Sequence, residues 1–154
     1  VVAFLLEQGA HTGVVSKKGV NVVEALLASY NPRKKGNDAD FEQKTALLKK
    51  YLVALQAANA HGDTALHMAV VKSNLKLIEK ILSWPHIDIN AQNEDGETPL
   101  IKAALTAKDT SILKYLIEKG ANKALTTSLG ETAYELAKEN ENLQKSGADL
   151  SFLK

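Results

Sequence analysis

The sequence repeats itself at a fixed interval, and this periodicity limits the fold more than any other feature. Three stretches with the same order of residue types begin 34 residues apart, at Gly62, Gly96 and Gly130. In each stretch an acidic residue and a threonine follow the glycine. A period of this length is typical of an array in which each unit buries its apolar face against its neighbours. The 154 residues have room for about four such units.

A second pattern lies between the glycines and predicts a pair of helices in each unit. Apolar residues with offsets of 0, 1, 4 and 5 occupy one helical stripe. They are Leu77, Ile78, Ile81 and Leu82, and then Ile112, Leu113, Leu116 and Ile117. Each unit therefore reads as a turn, a short helix, a second turn, a second helix and an extended stretch, the last exemplified by residues 87–90.

Residue types at the start of each unit predict how its first helix begins. The glycines suit a turn position with positive φ, where a Cβ would clash. Each threonine can cap the helix N-terminus by accepting a backbone N–H. Proline fits the first position after such a cap. The predicted caps are Thr64, Thr98 and Thr132, with Pro99 as the first helical residue of its unit.

The stretch from Gly62 to Ala69 resembles the ankyrin repeat, whose core pattern is T-P-L-H-x-A at a period of 33. It keeps Thr64, Leu66 and His67 of that pattern. The resemblance implies an all-α solenoid of stacked helix-turn-helix units with short β-hairpin fingers. It also implies that His67 is structural, with its imidazole hydrogen-bonded within the turn network.

The repeat pattern divides the chain into a predicted series of units within a single array over residues 1–154. An insert of about a dozen residues separates the two helices of the degenerate unit and contains Arg33–Lys35. We expect residues 31–40 of this insert to form an exposed loop. The predicted units are the end of an upstream repeat (1–10), a degenerate repeat (11–57) with its insert near 29–41, two regular repeats (58–92 and 93–126) and a terminal repeat or cap (127–154).

Composition excludes several kinds of function. The net charge is +1 with histidine neutral, which gives no support to polyanion binding through bulk charge. Cysteine is absent, so thiol catalysis, thiolate metal sites and disulfides are excluded together. No apolar run has the roughly 18 residues that a membrane helix needs. No catalytic constellation, metal site, cofactor motif or small-molecule substrate site emerges, and we expect a non-enzymatic chain.

The resemblance implies that partners bind a concave groove lined by fingers and first helices. Six of the thirteen positions that map to this groove are acidic and one is basic, which indicates either a preference for a basic or mixed partner segment or ordinary solubilising charge. The single tryptophan, Trp84, is a further candidate contact, against the alternative that it packs under a finger. The groove positions are His61, Asp63, Val71, Lys72, Glu94, Asp95, Glu97, Leu105, Thr106, Ser128, Leu129, Glu131 and Glu139.

These observations favour a scaffold that binds another protein. The alternative is a substrate-recruiting module of a larger enzyme or effector, with its catalytic domain outside this chain. Nucleic-acid binding through Arg33–Lys35 is disfavoured, because the run is short and the 18 lysines to one arginine do not suit phosphate recognition. The same lysine bias suggests an AT-rich genome. By analogy with bacterial ankyrin effectors, we expect a cytoplasmic protein, or one in the host cytosol if it is a secreted effector.

The segment from Leu82 to Asn90 resembles the site on ankyrin repeats that asparaginyl hydroxylases recognise. This resemblance implies Asn90 as a hydroxylation site. The alternative is that Asn90 only forms hydrogen bonds between neighbouring fingers.

Overall fold

A computed structural model describes three parts of the chain, residues 22–31, 36–50 and 58–154. The chain forms two compact units, residues 1–60 and 61–154. The predicted helix end at residues 1–10 and the basic run Arg33–Lys35 lie outside the described residues. The assignment of residues 1–57 to the same array as the rest of the chain stays a prediction.

The described part of the first unit contains two helices, α1 (Val22–Ser29) and α2 (Asn37–Lys50). The loop predicted over residues 31–40 was wrong at its C-terminal end, because α2 begins at Asn37. Two aspartates in the first turn of α2 favour this early start, since negative charge stabilises a helix N-terminus. The side-chain oxygen of Asn37 also accepts the N–H of Asn31 at 3.0 Å.

An aromatic contact holds α1 and α2 together around Tyr30. The Tyr30 and Phe41 rings meet edge to face with their centroids 4.9 Å apart, and both side chains are buried. The Tyr30 hydroxyl donates to a carboxylate oxygen of Asp38 at 2.9 Å. Burial, together with this hydrogen bond, raises the pKa of Tyr30 to about 12.

The second unit consists of three consecutive helix pairs, as the sequence predicts. Short helices recur with the 34-residue period, and the second helix of each pair follows the first after a brief turn. The chain then closes with a short 3-10 turn at Ser151–Leu153. The pairs are α3 (Ala65–Val71) with α4 (Leu75–Leu82), α5 (Pro99–Thr106) with α6 (Ser111–Glu118), and α7 (Ala133–Glu139) with α8 (Glu141–Lys145).

The predicted caps occupy the starts of the first helices. Thr64, Thr98 and Thr132 are the N-cap residues of α3, α5 and α7, and Pro99 follows its cap directly. The hydroxyl oxygen of Thr98 accepts the N–H of Ile101 at 3.2 Å. These positions confirm the prediction for the beginning of each unit.

The apolar stripe predicted from the sequence forms the core of the second unit. Leu77, Ile78 and Ile81 of α4 are fully buried, as are Leu113 and Leu116 of α6. The first helix of each pair packs on its own second helix, and α5 also packs on α3 and on α7. The first helices therefore stack side by side along the array, which fixes the position of the turn that precedes each of them.

The fingers are tighter than predicted. No strand forms in the described ranges, and a single antiparallel bridge joins Thr126 to Thr132. In the finger at residues 93–97, the N–H of Asn93 donates to the Glu97 carbonyl at 3.0 Å and the N–H of Gly96 donates to the Asn93 carbonyl. The predicted extended stretch at residues 87–90 bends instead, because the Asp88 carboxylate accepts the Asn90 N–H at 2.8 Å.

Candidate functional site

Consecutive fingers of the second unit are joined by backbone hydrogen bonds at their tips. The N–H of Glu94 donates to the His61 carbonyl at 3.2 Å, and the N–H of Ser128 donates to the Asp95 carbonyl at 2.8 Å. The two donors are 34 residues apart, and so are the two acceptors. The tips therefore form a regular row, with one finger for each repeat.

This close stacking helps to explain the glycines at the first two tips. Gly62 and Gly96 have φ values of +75° and +73°, which disfavour any L side chain. A Cβ on Gly62 would lie 2.9 Å from the Glu94 nitrogen, and a Cβ on Gly96 would lie 2.7 Å from the Ser128 nitrogen. The sequence predicted the positive φ. The contact with the next finger is an additional reason for glycine that one unit alone cannot show.

A buried asparagine organises the second finger. Asn93 accepts the N–H groups of Asp95 and Glu97 at 3.0 and 2.9 Å through its side-chain oxygen. Its amide nitrogen donates to the carboxylates of Asp63 and Glu97 at 2.8 and 3.0 Å. Asn93 thus closes its own finger and holds it against the preceding one.

Two of the predicted partner contacts belong to an internal ion cluster. The Lys102 ammonium on α5 hydrogen-bonds to the Glu97 carboxylate and lies 3.8 Å from the Asp63 carboxylate. The three side chains are only 18%, 13% and 16% exposed, in the order Lys102, Glu97, Asp63. The prediction that Asp63 and Glu97 are exposed groove positions was therefore wrong, because these carboxylates neutralise a lysine between two repeats.

His67 links the same two repeats from within the core. It is fully buried, and its Nδ1 lies 3.1 Å from the Thr64 nitrogen and 2.9 Å from the Thr64 hydroxyl. Its Nε2 lies 2.9 Å from the Glu97 carbonyl oxygen. A backbone N–H can only donate and a carbonyl can only accept, so the ring is neutral with its proton on Nε2. The structural role implied for His67 is confirmed.

Burial is the main cause that lowers the pKa of His67. The Glu97 carbonyl and the carboxylates of Asp63 and Glu97 act in the opposite direction, while the Lys102 ammonium lowers the pKa further. The other groups of the second unit with shifted pKa values are carboxylates, and their pKa values are lowered. Hydrogen bonds from Ser111, Thr132 and Ser151 lower the pKa of Asp109, Glu135 and Asp149, respectively.

Nine of the predicted contact residues are exposed at the fingertips and at the ends of the first helices. Their exposed large apolar members are Val71, Leu105 and Leu129, with relative exposures of 51%, 41% and 86%. These three are also the complete set of exposed large hydrophobic residues among those whose side-chain exposure the structure describes. We name the nine residues the fingertip face: His61, Val71, Lys72, Glu94, Asp95, Leu105, Ser128, Leu129 and Glu139.

The remaining predicted contacts are less accessible. Thr106 and Glu131 are half-buried, and the Thr106 hydroxyl donates to the Lys102 carbonyl at 2.8 Å. Trp84 is only 4% exposed. The prediction of Trp84 as a partner contact was therefore wrong, because the indole packs into the core just after α4.

Asn90 joins two successive loops. Its side-chain oxygen accepts the N–H of Asn122 at 2.8 Å, and the side chain is half-buried. This bond is the one expected from the alternative interpretation of Asn90. Hydroxylation of Asn90 stays a prediction.

Sequence reasoning missed Lys102 and Asn93. Lys102 occupies the position that Met68 and Leu136 hold one repeat before and after. The sequence did contain a signal for Lys102, because this position is charged in one unit and apolar in the other two. Asn93 gave no comparable signal, because its four hydrogen bonds depend on how two fingers meet.

Within the described residues, no group of three or more histidine, aspartate or glutamate side chains could hold a metal ion. None of the helices in those ranges is long and apolar enough to cross a membrane.

Comparison with known proteins places these repeats in a family. Residues 66–117 match the family model described as ankyrin repeats (many copies). The chain is 33% identical over 89 residues to YahD of Escherichia coli (strain K12), named as an ankyrin repeat protein, with 55% of this chain and 44% of that protein covered. It is 34% identical over 122 residues to the regulatory protein NPR3 of Arabidopsis thaliana, covering 79% of this chain and 20% of NPR3.

A further relative is the E3 ubiquitin-protein ligase KEG of Arabidopsis thaliana, with 38% identity over 68 residues. That match covers 44% of this chain and 4% of KEG. The chain thus spans less than half the length of each of these three relatives. The family model, the 34-residue period and the stacked helix pairs agree, and the chain therefore carries ankyrin repeats.

Proposed function

We propose that this chain is a non-enzymatic module that binds another protein through the fingertip face. The observation that carries the proposal is the location of Val71, Leu105 and Leu129, the three exposed large hydrophobic residues of the described ranges. Val71 and Leu105 hold equivalent positions, 34 residues apart, at the ends of α3 and α5, and Leu129 lies at the tip of the third finger. Large apolar side chains that the fold leaves exposed are candidates for partner contact.

The charge of the face supports a basic or mixed partner segment. Glu94, Asp95 and Glu139 expose their carboxylates, and Lys72 is the face's one lysine. Since Asp63 and Glu97 are engaged within the molecule, the acidic character of the face is smaller than the sequence indicated. The partner should therefore combine apolar side chains with a few cationic ones, rather than depend on charge alone.

The decisive test is the affinity of a purified partner for variants of the full chain. L105S/L129S removes two apolar anchors from the fingertip face. The matched control, E118S/K145S, changes two exposed residues on α6 and α8. We expect L105S/L129S to weaken binding by about tenfold or more, since tenfold corresponds to only about 1.4 kcal/mol. We expect the control to bind like the wild type.

Equal affinity of L105S/L129S and the wild type, with the fold intact by circular dichroism, would rule out the fingertip face as the binding surface. A loss of affinity in the E118S/K145S control alone would move the contact to the second helices.

A second candidate function is substrate recruitment within a larger enzyme. The similarity to KEG favours it, because the matched segment is a small part of a protein named as a ligase. Deleting residues 61–154 from the complete protein should then abolish turnover of its protein substrate and spare turnover of a minimal substrate. Equal loss of both activities would contradict recruitment.

We place the protein in the cytoplasm, or in the host cytosol if it is a secreted bacterial effector. The lysine-to-arginine bias of the sequence, which suggests an AT-rich bacterial genome, supports the second of these two locations. Imaging of a tagged full-length protein in its own organism tests it.

A further inference from the structure

The joint between the fingers at residues 61–63 and 93–97, here the first finger joint, depends on a buried titratable group. His67 bonds to Thr64 at the base of the first finger and to the Glu97 carbonyl at the end of the second. It is therefore a bridge across the joint as well as a core residue. The equivalent positions in the next two repeats hold Ile101 and Glu135.

The groups around His67 make this bridge sensitive to its protonation state. Asp63 lies just before α3, the helix that contains His67. Glu97 lies on the next finger, and Lys102 lies on the adjacent helix α5. A proton on Nδ1 would remove the acceptor of the Thr64 N–H, which would be left without its partner at the N-terminus of α3. The new charge would also be fully buried.

The joint between repeats two and three uses different groups. The Asn140 amide nitrogen donates to the carbonyls of Ala104 and Ala107 at 2.8 and 3.0 Å, and the Ser128 N–H donates to the backbone carbonyl of Asp95. The Lys123 ammonium donates to the carbonyl of Phe152 at 3.2 Å. Amide and carbonyl groups do not titrate between pH 5 and pH 7, so the hydrogen bonds of Asn140 and of the Ser128 N–H do not depend on pH in this range.

We propose that the first finger joint is an acid-sensitive hinge: as the pH falls from 7 towards 5, protonation of His67 loosens the fingers at 61–63 and 93–97 while repeats two and three stay joined. The sign follows from linkage. A buried histidine kept neutral when closed binds fewer protons than the same histidine in the open state, so acid favours opening. The hinge lies at the edge of the fingertip face, so acid would change the relative position of His61 and Asp95.

Two backbone amides report on the two joints separately. The Glu94 N–H is bonded across the first finger joint, and the Ser128 N–H is bonded across the next one. Amide hydrogen exchange of the full chain, measured by NMR at pH 7 and pH 5, gives the ratio of their exchange rates after correction for intrinsic rates. With an open-state histidine pKa of about 6.5, the ratio of Glu94 to Ser128 exchange should rise by up to about 25-fold.

H67Q is the matched variant, because glutamine keeps a polar side chain of similar length and does not titrate. In this variant the exchange ratio should be the same at both pH values, whatever its absolute size. If H67Q does not fold, the 15N shifts of the wild-type ring provide a second measurement. At pH 7 these shifts should show a neutral ring with its proton on Nε2. As the pH falls, protonation of the ring should follow the same pH dependence as the rise in the Glu94 exchange rate.

Three results would overturn the proposal. The first is an unchanged exchange ratio in the wild type, which would mean that the joints do not differ in their response to acid. The second is a ratio that rises equally in H67Q, which would assign the response to another group. The third is a charged ring, or a proton on Nδ1, at pH 7.

Discussion

At the scale of single residues, a fingertip glycine has two functions that substitution can separate. Gly96 and Gly130 both have positive φ, +73° and +84°, but a Cβ on Gly130 would meet nothing within 4 Å. Alanine at either position incurs the cost of a left-handed conformation, about 1–2 kcal/mol. Alanine at Gly96 must also displace the backbone of the next finger, 2.7 Å away at the Ser128 nitrogen.

We therefore expect G96A to lower the free energy of unfolding by at least about 1 kcal/mol more than G130A, since it also displaces packed backbone. Urea unfolding of the two variants measures the difference. Equal losses would mean that the backbone conformation alone selects glycine, and that the close approach of the fingers is relieved at no cost.

Asn90 carries a prediction about modification. Its side-chain oxygen is held by the Asn122 N–H, so an enzyme that hydroxylates it must first separate the two loops. We expect peptides that contain Asn90 to gain the mass of one oxygen atom when the chain is coexpressed with an asparaginyl hydroxylase. N122P, which removes the donor, should increase the modified fraction. If Asn90 is unmodified in both proteins, it is not a hydroxylation site, and its role is only the hydrogen bond to Asn122.

At the scale of the fingers, the structure separates acidic residues that the sequence treats as one row. Glu94 and Asp95 are exposed, whereas Glu97 accepts hydrogen bonds from Asn93 and Lys102. A variant in which the charges of all three residues are reversed would combine an effect on binding with a loss of stability. The variants E94K/D95K and E97K keep the two effects apart.

We expect E94K/D95K to change stability by no more than about 0.5 kcal/mol, as is usual for exposed positions. E97K should cost about 2 kcal/mol, because it breaks charge-assisted hydrogen bonds and sets a second ammonium beside Lys102. Thermal unfolding measures both. In partner binding, E94K/D95K should slow association, with an effect that shrinks as salt is added. Unchanged association at low salt would show that the exposed acids only promote solubility.

The helices and their caps were predictable because each depends on residues close in sequence. Thr98 and Pro99 predict the start of α5, and the apolar stripe of α6 predicts which side of that helix is buried. The environment of Glu97 was not predictable in this way, because its partner Lys102 lies on the following helix and Asp63 on another finger. Local chemistry thus fixed the elements, while the burial of their charges depended on how two repeats meet.

Across the whole second unit, the groups with shifted pKa values are divided between the first repeat and the two later ones. His67 lies at the first finger joint, whereas Asp109, Glu135 and Asp149 lie in the second and third repeats. The hydrogen bonds that lower the pKa of these three carboxyls favour the charged form in the folded state. They stabilise the fold above the carboxyls' ordinary pKa of about 4, and this stabilisation is lost as the pH falls through the lower, folded values.

The first repeat and the two later ones should therefore respond to acid in separate pH ranges. Between pH 7 and pH 5 we expect protonation of His67 to lower the urea midpoint, so that H67Q reduces the change in the midpoint over this range. Below about pH 4 the midpoint should fall again in both proteins, because the carboxyls of the later repeats take up protons. D149N should make this acid limb shallower and leave the upper range unchanged. A contradicting result would be that H67Q reduces the change in the urea midpoint below pH 4, or that D149N reduces the change between pH 7 and pH 5. Either result would mean that the repeats are not stabilised separately by their own groups, and that the array responds to acid as one cooperative body.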